Sequence, residues 1–88
     1  MTKRARKARI QEIREEFLAR LKERFQAVEL VEVEDRPGGT TVFRVHVPGA
    51  ELLDVINVNV ERIAELAGTE DIHVMILPVS YRRGNQAA

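Results

Sequence analysis

Few side chains in this sequence are of types that carry out chemistry. The two histidines, His46 and His73, both fall in apolar segments with strand character. If those strands were neighbours the imidazoles could approach, but zinc would need a third ligand, which only Glu32 or Glu34 could supply in a favourable register. The simpler expectation is two sheet-face histidines that contribute packing and solubility, with no metal. Ser80 lacks a Gly-x-Ser-x-Gly setting and neither histidine has an evident orienting partner, so a nucleophilic triad is not expected. Glu29, Glu32, Glu34 and Asp35 form a carboxylate run. General acid–base work would need a pocket that drives their pKa values apart, and a small domain offers little cavity, so a solvated face is expected. Pro37-Gly38-Gly39 is too short for a phosphate cradle and precedes a strand rather than a helix. No cofactor motif is present, and the reading is of a protein that is not an enzyme.

Charge is more informative. The formal net charge is zero, yet residues 1–26 hold nine Lys/Arg against four Glu, and residues 27–81 hold three Arg against ten Asp/Glu. Arg82 and Arg83 restore the balance. Such asymmetry suggests a basic arm on an acidic body. The arm either meets an external polyanion or folds back onto an acidic surface of its own or a neighbouring chain. Lys3, Arg4, Arg6, Lys7 and Arg9, with Arg82 and Arg83, are the candidate polyanion contacts, because clustered cations release counterions from nucleic acid. The plainer alternative is a solvated tail. Positive charge opposes the macrodipole at a helix N-terminus, so residues 1–9 are expected to be a partly disordered arm, and residues 82–88 a disordered tail.

The elements that would position these groups follow from periodicity. Ile10, Ile13, Phe17, Leu21, Phe25 and Val28 recur at spacings of three and four, the stripe of an amphipathic helix. Val31 and Val33 alternate with Glu32 and Glu34 as in a half-exposed strand. Val28 and Leu30 have the opposite parity, which puts a junction or bulge near Leu30–Val31. Arg36-Pro37-Gly38-Gly39 is a turn, and Thr41, Phe43, Val45 and Val47 share one face of the strand after it. Residues 50–67 read as a second helix stopped by Gly68. The stretch Ile56–Val60 contains poor helix formers and is expected to form a kink or irregular turn, with Asn57 or Asn59 available to cap the helical turns after it; because it alternates, a short edge strand is the alternative. Ile72–Tyr81 is the most apolar run. It is apolar on both faces, as expected of a strand interior to its sheet. Pro78 should mark the point where its pairing stops on one side.

The expected fold class is α+β: a two-layer sandwich, α-β-β-α-β, with two helices on one face of a three-stranded mixed sheet and a single domain over residues 10–81. With no cysteine, no apolar run long enough for a membrane span and no secretory signal, a soluble cytoplasmic protein without a membrane partner is expected. The element order is similar to that of the type II KH domain, a small RNA-binding fold. The Gly-x-x-Gly backbone clamp of that family is absent, and the nearest feature is the irregular point near Asn57–Asn59. The resemblance implies a monomeric RNA binder without the clamp.

Two helices cannot easily cover both faces of one small sheet. The face left over would carry Val42, Met75, Leu77, Val79 and Tyr81, and a contiguous exposed apolar patch marks an interface. The leading expectation is therefore a small non-enzymatic assembly domain, a homodimer through that face, whose basic arms engage nucleic acid or an acidic protein.

Overall fold

The structure is a computed structural model, and it describes residues 2–79. Ser80, Tyr81, Arg82, Arg83 and the rest of the expected tail lie outside the described residues. Helix α1 spans Lys3–Arg24, strand β1 Glu29–Asp35, strand β2 Thr40–His46, helix α2 Leu52–Asn57, helix α3 Val60–Glu70 and strand β3 His73–Pro78. The fold is α+β with a three-stranded mixed sheet, in the order α-β-β-α-α-β.

Helix α1 begins earlier than its charge suggests. No acidic residue sits in its first turn, so the macrodipole is unrelieved there. Other bonds secure the end. Thr2 is the N-cap, and its hydroxyl accepts the Ala5 N–H at 3.1 Å. Arg6 and Arg9 are held by Gly39 and Glu70, groups far away in the chain. Residues 3–9 are thus the first turns of α1 rather than a separate arm. The helix stops at Phe25, whose extended backbone still donates its N–H to Leu21 O at 2.9 Å.

Strands β1 and β2 form the antiparallel hairpin. The register shifts between Leu30 and Glu32, which is the bulge that the change of parity predicts. Gly38 and Gly39 hold φ of 96° and 92°, a region that L side chains rarely enter, so the Arg36–Gly39 turn depends on them. Strand β3 pairs with β2 in parallel, and the sheet order is β1-β2-β3. The interior strand is therefore β2, and β3, the described strand of the Ile72–Tyr81 run, is an edge, contrary to expectation. Apolar content reports whether the faces of a strand are covered. Its place in the sheet is set by the crossover, and the two properties part company here. The strand ends at Pro78, and Val79 N–H makes the next bond along, to Val45 O at 2.8 Å.

The crossover is two helices, not one. The expected kink is a full break at Val58-Asn59. Asn59 takes the N-cap position of α3, but its side chain makes no capping bond. It is buried and turned across to α1, where Nδ2 donates to Phe17 O at 3.4 Å. Helix α3 runs through Gly68 to Glu70 and ends on Asp71, with φ of 55°. Gly68 is not the stop. Asn and Asp tolerate the left-handed region better than most residues, and the Asp71 carboxylate is held by His73 Nε2 at 3.0 Å.

The core lies between the helices and one face of the sheet. Ile13, Phe17 and Leu21 of α1 join Val55, Leu66 and Ile72 over Phe43, Val45, Val74 and Ile76. Phe17 meets Phe43 edge to face, with ring centroids 6.0 Å apart. Ile63 is only partly buried against this cluster.

The opposite face differs from the expected apolar patch. Its rows, read across the register, are Glu34–Val42–Met75 and Glu32–Arg44–Leu77. Val42 is fully buried. Met75 is 43% exposed, and Leu77 and Val79 are half-buried. Arg44 occupies the middle of the face, with Nη2 3.1 Å from Glu34 Oε1 and Nε 3.4 Å from Glu32 Oε2. Charge therefore interrupts the apolar side chains. The pattern of strand β2 alone, Val42-x-Arg44-x-His46, already contained this interruption.

Candidate functional site: a cationic groove

The stripe of α1 that packs on the sheet is apolar from Ile10 onward. Continued toward the N-terminus at the same spacing, it reaches Arg6 and Lys3. A helix of 22 residues is about 33 Å long, and a seven-residue strand only about 23 Å. The first turns accordingly extend over the hairpin turn rather than over the core. There Arg6 Nη2 donates to Gly39 O at 3.0 Å.

A groove of about 570 Å³ opens between this part of α1 and the β1–β2 hairpin. Lys3, Arg6, Lys7 and Arg14 line it from the helix and Arg36 from the turn, with Asp35 the one carboxylate among the lining residues. Asp35 accepts a hydrogen bond from the Thr41 hydroxyl at 3.0 Å. Ile10, Phe43 and Val33, the last 40% exposed, give the groove an apolar floor. Among the described residues Lys3, Arg6, Lys7 and Arg14 have no carboxylate partner, whereas Arg36 Nε is shared with Glu34 at 3.2 Å. The hydrogen bonds from Arg36 and then from Arg44 hold the Glu34 carboxyl below its usual range.

Of the arm cations singled out in the sequence, Lys3, Arg6 and Lys7 come together here. Arg4 is exposed but does not line the groove. Arg9 points elsewhere. Its Nε and Nη2 grip both oxygens of Glu70, at 2.9 and 2.7 Å, joining α1 to the last turn of α3. That fork raises the Arg9 pKa and lowers that of Glu70. Arg9 belongs to the internal fold-back and is not free for a polyanion. No known family, curated protein or solved structure matches this chain. The groove is therefore identified by its geometry and charge alone.

Arg14, Arg36, Gln11 and Thr40 also line the groove and were not singled out in the sequence. A signal for Arg14 existed: Lys7, Ile10 and Arg14 are spaced by three and four and share a helix face. Arg36 carried none, since only the folded hairpin brings it opposite α1.

The histidines stay apart. His73 lies opposite Thr40 and His46 opposite Glu29, at the two ends of β2, about 20 Å from one another. His46 Nδ1 lies 3.1 Å from Val79 O. Among the described residues no three His, Asp or Glu side chains converge as metal ligands, and no helix is long and apolar enough to cross a membrane.

Proposed function

We propose that this is a non-enzymatic binding module that engages the phosphate backbone of a nucleic acid through the groove between α1 and the hairpin. The observation that carries this reading is the set of four cations, Lys3, Arg6, Lys7 and Arg14, without carboxylate partners around one groove. Arg4, Lys22 and Arg24 are also without a carboxylate partner among the described residues but lie outside the groove, and other cations are engaged. Arg9 is taken by Glu70, Arg44 by Glu32 and Glu34, and Arg62 by Glu16 and Glu65. In a molecule of zero net charge, four such cations around one groove raise the positive potential there. The element order supports a KH-like reading, and the chain again departs from it at the clamp. The break between the paired helices reads Asn57-Val58-Asn59-Val60, with no glycine to admit a phosphate against the backbone. Phosphate contact therefore falls to side chains in the groove. A cytoplasmic, cysteine-free protein goes with such a role.

The test is fluorescence anisotropy with a labelled single-stranded RNA at several salt concentrations. Affinity should fall linearly on a log–log plot, with a slope of about −0.7 per neutralised phosphate. Lys7→Glu with Arg14→Glu should weaken binding and flatten the slope. No binding at low salt, or binding untouched by these changes, rejects the reading.

A second reading, self-association, is favoured by one observation. Strand β3 is an edge with no charged residue between Val74 and Pro78, and Met75 stands out from it. The opposite edge, β1, carries Glu29, Glu32, Glu34 and Asp35, the kind of charge that discourages edge pairing. A homodimer would then form by β3 pairing with its own copy, with Met75 and Leu77 beside the seam. Sedimentation at micromolar concentration decides this, and a monomer eliminates it.

A further inference from the structure

We propose that the end of the molecule opposite the groove docks a cationic amphipathic segment of another protein. Three observations meet there. Helix α2 is short and presents large apolar side chains to solvent, with Leu52 58% and Leu53 70% exposed. Leu52 also borders an apolar hollow of about 200 Å³, walled by Val47, Pro48, Val55, Pro78 and Val79. Among the described residues the surroundings are acidic, with Glu51 and Asp54 beside Leu52 and Leu53 in the chain. From Val45 to Glu61 the sequence holds Glu51, Asp54 and Glu61 and no Lys or Arg. Among the described residues none of these three carboxylates takes part in an ion pair. The cations bounding that stretch, Arg44 and Arg62, are engaged by Glu32 and Glu34 and by Glu16 and Glu65.

Charge identifies the occupant. A second copy meeting this surface about a two-fold axis would bring Glu51 and Asp54 against themselves, and like charges in contact reject a partner. This chain's own cationic turns are also unsuited. The exposed residues from Arg4 to Ala8 offer only Ala5 and Ala8 as apolar groups. The surface instead fits a segment that puts one branched or aromatic anchor into the hollow, lays a second across Leu53 and surrounds both with Lys or Arg. That is the pattern of an amphipathic helix seated by its apolar face. The groove and this surface lie at opposite ends of β2, since the groove is beside Thr40 and the hollow beside His46. Both could therefore be occupied at once.

The probe is a short model helix of Leu and Lys in amphipathic order, titrated into the full chain and followed by amide chemical shifts. Shifts should centre on Val47–Val55 and Val79. Leu52→Ser with Leu53→Ser should weaken binding about tenfold, with the melting temperature nearly unchanged because both residues are exposed. A peptide of the same pattern with Glu in place of Lys should not bind. The proposal is overturned if the Leu/Lys peptide does not bind, if the double variant binds it equally, or if the shifts fall on the β1 carboxylates. It is also overturned if the wild type sediments as a dimer that the double variant converts to monomer, because the surface then belongs to a second copy.

Discussion

Asn59 shows how much one polar side chain can hold in place. It is wholly buried, donates one long hydrogen bond to Phe17 O, and leaves Oδ1 without a partner. An unsatisfied buried oxygen costs nearly what the single donated bond contributes. Asn59→Ala should therefore change stability by no more than about 1 kcal/mol. Asn59→Asp removes the donor and sets a carboxylate against a carbonyl in the interior, and should cost roughly 3–5 kcal/mol. Urea denaturation of the two variants measures the difference. Equal losses would mean that the residue acts only by filling space. The sequence marked this position as a break, because Asn and Val are poor helix formers. It did not reveal the direction of the side chain. Capping is a local bond and can be read from neighbours, whereas the bond to Phe17 exists only after α1 has packed.

At the level of elements, α1 and the hairpin turn are the two parts on which the groove depends. Phe17→Ala should cost roughly 3–5 kcal/mol, the usual penalty for truncating a core phenylalanine. In a domain this small that is a large share of the total, and thermal unfolding should show a much lower midpoint or no cooperative transition. Gly38→Ala and Gly39→Ala meet no neighbouring atom. Each should still lose about 1–2 kcal/mol, because the backbone is left-handed there. Since Gly39 O also accepts from Arg6, distortion of this turn should weaken RNA binding in the same anisotropy assay. These elements were legible in advance. The stripe from Ile10 to Leu21, the bulge at Leu30–Glu32 and the Pro-Gly-Gly turn are all local patterns. The edge position of β3 was not, because it depends on which strand lies beside which.

For the molecule as a whole, acid is the informative variable. The Glu70 carboxyl, gripped by Arg9, is held below its ordinary value, and so is Glu34, gripped by Arg36 and Arg44. A lowered folded-state value means that the pair stabilises fully above the ordinary carboxylate pKa of about 4.5. The contribution is lost as pH falls below that point. Glu70→Gln should accordingly melt earlier than the wild type at pH 7, and the gap should close toward pH 3. A gap constant over that range would show that the Arg9–Glu70 fork adds nothing through charge.

The parallel pairing of β3 with β2 has a consequence in time. The hairpin can close as soon as its own short stretch of chain collapses, since its partners are near neighbours in sequence. Strand β3 must wait for the Val58–Asn59 break to form and for two helices to wrap back, and such distant pairings are slow because the loop must close first. The rate-limiting step should therefore have α1 and the hairpin largely organised and β3 still loose. Phe43→Leu should slow refolding, whereas Ile76→Val should mainly hasten unfolding. Until β3 docks, β2 has one unpaired side, and the nascent domain passes through a stage in which its middle strand is open to pairing by other chains.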